Sequence, residues 1–362
     1  MKEAVFLQEV KEIQLLKNAL TLLDWDSSTG MPEKSSPFRG EVEGYLTGLY
    51  FERSIGPVIQ EALAYFETRP EELSELGKLV FEKVKEEYAL NKNVPAERMQ
   101  EYVKVLNQAH TDWLKARAAQ DFGLLEETLT KVVAFQKEFI PYWQKEEKTP
   151  YDVLLNQFEP GMTVEKLDQV FDQVKQGIQE IRTVLAEKGT PPRTDFLSRK
   201  MTKEQQRRFV IGVVEQLGYD FSKGRLDDTV HPFMTALNRN DARITTRWEE
   251  NNFSMATFGV IHEAGHGMYE QNFDPKFDFT PLSEGASMGI HESQSLFNEI
   301  IIGSNRAFWQ KQYPFFQECA EGTFDDIAFE DFYASLKETK ASLIRIDSDS
   351  LTYPLYTSDA AD

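Results

Sequence analysis

Only one cysteine occurs in 362 residues, Cys319. That excludes an internal disulfide and any cysteine-built zinc knuckle. Basic residues are in deficit, with 40 Lys and Arg against 60 Asp and Glu, for a net charge of −20. Phosphate contacts need clustered Lys and Arg, so the balance argues against a nucleic-acid or anionic-membrane binder. No apolar run reaches the length of about 18 residues that a membrane-spanning helix needs. The opening residues Met1-Lys2-Glu3-Ala4-Val5-Phe6 enter a charged amphipathic pattern, not the apolar stretch of a secretory signal. These shortages predict a soluble, cytoplasmic protein. Histidine is also scarce, five in all, which makes the position of each one informative.

What is present is helical periodicity. Val5, Phe6, Val10, Ile13, Leu16, Leu20 and Leu23 recur at helical spacing over 2–23. A turn is predicted over 25–32, where Ser, Thr, Gly30 and Pro32 cluster. Further helical patterns cover about 38–66, 70–90, 95–120 and 122–147, with breaks at Gly56-Pro57, Pro70, 91–95 and Gly123. The pattern over 163–188 ends at Gly189 before Pro191-Pro192. Thr202 and Gln205 form a capping box for a helix over 203–217. The β-rich stretch 241–248 predicts a strand, followed by helices over about 254–272, 285–303 and 325–345. Long helices joined by short loops predict a mainly α architecture.

Residues 262–266 read His262-Glu263-Ala264-Gly265-His266. Two histidines four apart on a helix share one face and can hold one cation through their imidazoles. Zinc so held makes water a nucleophile at neutral pH, and Glu263 is placed to take its proton. A third ligand must come from elsewhere. Tyr269 and Asn272 stand where a metzincin needs Gly and His, which excludes that class. Glu270, Asp274, Asp278, Glu284, Glu292 and Glu299 are the downstream carboxylates. Glu270 lies a full turn beyond the histidines. Glu292 sits mid-helix in apolar surroundings, where a buried charge needs a partner such as a metal, and is preferred to Glu299, which can equally belong to a solvated face. His291 projects about 100° away from Glu292 and is assigned to substrate or to the surroundings of the metal. His231, before Pro232 and Phe233, is either a structural histidine or a donor to a substrate carbonyl. Arg243, Arg247 and Arg345 are candidate anchors for a substrate carboxylate.

These motifs resemble the M32 metallocarboxypeptidases. The family's His-Pro-Phe motif matches His231-Pro232-Phe233, and its Asp-x-Arg-x-Thr motif matches Asp241, Arg243 and Thr245. Its metal motif matches His262, Glu263 and His266. Its His-Glu-Ser-Gln motif matches His291, Glu292, Ser293 and Gln294. An N-terminal signature matches Leu23-Asp24-Trp25-Asp26, Thr29, Met31-Pro32 and Arg39, and the likeness extends to about Pro354.

The resemblance implies a large helical, gluzincin-like fold with a deep groove and a small β-sheet beside the metal-binding helix. It implies a single catalytic domain over 1–362, with 1–200 covering the groove and 201–362 carrying the metal. Glu292 is then the third ligand, Glu263 the general base, and His231, Arg243, His291 and Arg345 contact substrate. The implied activity is release of single C-terminal residues from peptides with broad specificity, by one zinc ion per chain, with cobalt as an alternative, in a homodimer. The Ile-Arg-x-x-Ala-Asp motif appears here with Ser348 for Ala. Family members continue past the point where this chain stops, so the resemblance implies a C-terminal truncation. A zinc endo-oligopeptidase and an inactive metal-binding fragment are the competing readings.

Overall fold

The computed structural model describes residues 1–338 and consists of two compact units. The first comprises Met1–Ser27, Met31–Gln157 and Lys276–Leu282. It is built from α1 (Glu3–Thr29), α2 (Ser36–Ser54), α3 (Pro57–Phe66), α4 (Glu75–Asn91), α5 (Ala96–Ala119), α6 (Gly123–Trp143) and α7 (Pro150–Phe158). Phe6, Val10 and Ile13 of α1 close on Ile59, Ala62 and Phe66 of α3 and on Val80, Phe81 and Val84 of α4. That contact is the burial of the α1 stripe visible in the sequence. A smaller cluster joins Val94, Phe135 and Phe139.

The predicted turn at 25–32 lies largely inside α1, which runs on to Thr29. Trp25 is buried there, and Arg39 binds Asp26 at 2.5 Å and the Leu23 carbonyl at 2.9 Å. With its side chain so engaged, Asp26 does not compete for its own backbone, the usual reason for such residues to break a helix.

The second unit comprises Ser28–Gly30, Phe158–Pro275 and the chain from Ser283. Its elements are α8 (Val164–Lys188), α9 (Lys203–Leu217), β1 (Leu226–Asp228), β2 (Met234–Asn238), β3 (Asp241–Thr246), α10 (Phe253–Gln271), α11 (Met288–Leu296), α12 (Arg306–Ala320) and α13 (Phe329–Ser335). The predicted capping box is formed: Thr202 Oγ1 accepts from the Gln205 amide, and the Gln205 side chain accepts from the Thr202 amide at 2.8 Å. The sheet has the order β1-β3-β2, with β1 parallel and β2 antiparallel to β3. Ile244 faces Leu226 on one side and Met234 on the other.

The core of this unit joins Phe209, Val213 and Val214 of α9, Phe253, Val260, Ile261 and Ala264 of α10, Trp309 and Phe316 of α12, and Phe332 of α13. Helix α12 has Pro314 in its interior. Proline costs a helix about 3 kcal/mol, which masks the element in the sequence, and burial of the flanking aromatics overrides that cost. The strand predicted over 241–248 is β3, and the helix predicted over 254–272 is α10. The pattern over 285–303 resolves into α11 followed by a π-helical turn, Phe297–Ile302. Among the described residues no helix is long and apolar enough to cross a membrane.

Thr202→Ala removes an N-cap, so it is expected to cost about 1 kcal/mol, read as a lowered denaturant midpoint. An unchanged midpoint contradicts the capping role.

Candidate metal centre

Helix α10 presents its metal motif because it is held on two sides. On one side a Cβ at Gly267 would lie 2.7 Å from the Tyr219 ring and 3.5 Å from Ile244 of β3, so the helix rests close against the sheet. On another side Gly265 faces α11, where a Cβ would meet the Ser295 Cα at 2.6 Å and the Gln294 carbonyl oxygen at 2.8 Å. Only glycine permits this approach, because the atoms it would displace are backbone. The start of α11 is fixed separately. Ser287 caps it, and the Gly289 amide donates to Glu159 at 2.9 Å.

The close approach brings Glu292 to the two histidines. Its Oε2 lies 3.2 Å from His266 Nε2 and 3.5 Å from His262 Nε2. Among the described residues these three form the one group with metal-ligand character, all three ligand atoms falling within 4.8 Å of one another. Zinc bonds of about 2.0–2.1 Å in tetrahedral geometry separate neighbouring ligand atoms by about 3.3 Å. The two measured edges fit that figure, and the donor set of two imidazoles and a carboxylate suits a borderline divalent cation. The Ser295 hydroxyl bonds to Glu292 Oε2 at 2.8 Å and aims the carboxylate. Glu292 and Glu263 are both buried.

Further polar groups surround the triad. His262 Nδ1 pairs with Glu299 Oε2 at 2.8 Å. The His291 ring stacks on the His266 ring at 4.4 Å, and its Nε2 pairs with Glu270 at 3.0 Å. Sequence reasoning kept Glu299 only as the second choice for the third ligand and gave Glu270 no role. Both had a signal: Glu299 follows Glu292 by seven residues, two turns along, and Glu270 follows His266 by four. Glu270 lies beyond the ligands, as its spacing predicts, but it reaches His291 instead of solvent.

The remaining sequence candidates are placed as follows. His231 is exposed on the link between β1 and β2. Arg243 on β3 is bound by Asp241 through two contacts of 2.8 Å. Arg247 donates to Glu249 at 2.6 Å. Arg345 lies outside the described residues.

The electrostatics favour a cation. Burial works to lower the His262 pKa, but the Glu299 hydrogen bond and the charges of Glu263, Glu299 and Glu292 outweigh it and lift the ring to about 10. The carboxylates thus hold a proton on a ring that a metal needs neutral. Metal loading is therefore expected to expel about one proton at neutral pH and to weaken as pH falls. Calorimetry of zinc binding in buffers of different ionisation enthalpy reads this directly, and binding without proton release contradicts it. Gly265→Ala is expected to force α10 and α11 apart and to weaken zinc binding at least tenfold. Gly259→Ala, with nothing within 4 Å of its added Cβ, is the control and is expected to leave binding unchanged.

Known proteins resemble this chain over nearly its whole length. The family model described as carboxypeptidase Taq (M32) metallopeptidase matches residues 5–357. Carboxypeptidase 1 of Bacillus subtilis is 43% identical over 354 residues, covering 98% of this chain and 70% of that protein. Thermostable carboxypeptidase 1 of Thermus thermophilus is 32% identical, covering 96% and 70%. Among solved structures, the crystal structure named BsuCP matches with a TM-score of 0.93 at 43% identity, over 97% of this chain and 71% of that one. The M32 carboxypeptidase of Deinococcus radiodurans R1 matches with a TM-score of 0.87 at 33% identity, over 96% and 69%.

Proposed function

Since the chain belongs to the carboxypeptidase Taq (M32) metallopeptidase family, and is thereby a metal-dependent carboxypeptidase acting on peptides, we propose that His262, His266 and Glu292 hold its metal ion and that Glu263 is its general base. The observation that carries this reading is the spacing of the three ligand atoms, within 4.8 Å of one another. The metal proposed is a single zinc ion, on the donor set, with cobalt as the alternative. Bound there, zinc supplies a Lewis acid and lowers the pKa of water towards ~7.

The chain's own residues do the rest. Glu263 follows His262 directly and is close enough for its charge to act on that ring. It takes the proton of the attacking water and delivers it to the departing amine nitrogen, one group serving first as base and then as acid. His266, backed by the stacked His291, and Glu292, held by Ser295, keep their donor atoms in place during that exchange. His231 is proposed to donate to the substrate carbonyl oxygen, where negative charge develops as the water adds. Arg243, its guanidinium fixed by Asp241, is proposed to shape the substrate subsite and not to move into it. Release of single residues with broad specificity, a homodimer and a cytoplasmic location complete the proposed reading.

Glu263→Gln is expected to keep metal affinity within about threefold and to lower kcat by about 10²–10⁴. Mass spectrometry of an N-blocked peptide digest checks the reaction. A ladder shortened one residue at a time from the C-terminus supports it, whereas internal cuts, or normal turnover by the variant, overturn it.

A further inference from the structure

The metal-ligand reading leaves Glu299 unused, and the following rests on that reading. Its carboxylate lies 2.8 Å from His262 Nδ1, while Glu292 Oε2 lies 3.5 Å from the opposite nitrogen of the same ring, Nε2. One continuous helical segment thus reaches both ends of one imidazole. We propose that Glu299 is a positioning residue for the metal: it holds the His262 ring with the proton on Nδ1 and the lone pair of Nε2 aimed at the cation.

Three features carry this. First, a neutral imidazole has one N–H, and the partner of one nitrogen decides what the other can do. A carboxylate on Nδ1 accepts that N–H, so Nε2 is left as the donor to metal. His266 likewise turns its Nε2 towards Glu292 Oε2, at 3.2 Å, so the two rings offer the same atom. Second, Glu299 is delivered by an irregular piece of backbone. α11 ends at Leu296, and Phe297–Ile302 is a π-helical turn. Such turns form poorly on propensity alone and re-aim the side chains they carry, and they recur at functional sites. Third, the side chains around Glu299 leave the ring little freedom. His262 is 18% exposed and Glu299 22%, and Asn298, the residue before Glu299, donates to the Gln294 carbonyl at 2.9 Å, which ties the π turn back to α11. The negative charge on Glu299 also raises the basicity of the ring, which strengthens its bond to a cation.

The test uses the full chain and zinc alone. Glu299→Leu removes the acceptor, and Glu299→Gln keeps the shape and an acceptor oxygen without the charge. Zinc dissociation constants from competition with a chelator are expected to weaken about 10–100-fold in Glu299→Leu and by less in Glu299→Gln. In the metal-free protein, a proton NMR resonance far downfield from the His262 Nδ1–H is expected, and it is expected to disappear in Glu299→Leu. Zinc affinity in Glu299→Leu within twofold of the parent overturns the proposal, as does survival of that resonance. Glu292→Gln separates the two readings. If it binds zinc as the parent does, the ligand set itself is wrong. If it loses zinc while Glu299→Leu keeps it, only the role of Glu299 fails.

Discussion

The approach of α10 to α11 at Gly265 is the constraint on which the site depends. Two histidines one turn apart make half a metal site on any helix. The proposed third ligand, Glu292, comes from another segment, and its reach is limited by how near the two backbones can come. With backbone atoms of α11 only 2.6–2.8 Å from where a Cβ at residue 265 would stand, the helices are in contact through main chain. That closeness sets the 3.2 Å and 3.5 Å edges of the ligand triangle. Gly267 plays the matching part towards Tyr219 and Ile244, so the sheet acts as a stop behind the helix. The small sheet therefore contributes little as a sheet and much as a wall.

The same closeness creates an electrostatic problem. Glu263, Glu270 and Glu292 are all buried in this unit, and a buried carboxylate without a partner is costly. Each partner found is cationic or a donor: His291 for Glu270, Ser295 and the two histidines for Glu292. Burial opposes charge on His262, but the hydrogen bond to Glu299 and the charges of Glu263, Glu299 and Glu292 make that ring more basic than usual. A dication held as proposed would neutralise more of the excess than a proton does. The site is thus organised around positive charge in either state, and the −20 net charge of the chain adds to the attraction only at long range, where salt screens it.

Much of this was readable from residue order. The His-x-x-x-His pair needs only helical periodicity, and Glu292 stands out because an acidic residue in an apolar helix demands a partner. The strand ahead of the motif and the helix bearing it follow from alternation and spacing. Other parts were not readable, for physical reasons. α12 hides behind Pro314, since propensity opposes a helix that only aromatic packing rescues. β1 is three residues long and has no periodicity to detect. The end of α1 looked like a turn because a salt bridge from Arg39, thirteen residues on, cancels the local preference of Asp26. The π turn carries no simple pattern, and Glu299 in isolation looks like any surface acid.

That last case bears on how such a centre is held. A ligand fixed only by its backbone keeps rotamer freedom, and a metal must then pay to order it. On the proposed assignment each ligand side chain is already ordered by a neighbour: Ser295 for Glu292, the His291 stack for His266, and Glu299 for His262. Two of these supports, Ser295 and His291, flank Glu292 within three residues, and the third follows at the π turn. On that assignment one helical segment supplies a ligand together with the restraints on all three ligands. A fault in its register disturbs every donor at once. The π-helical turn at Phe297–Ile302 lies in that segment and carries the carboxylate that meets the His262 ring.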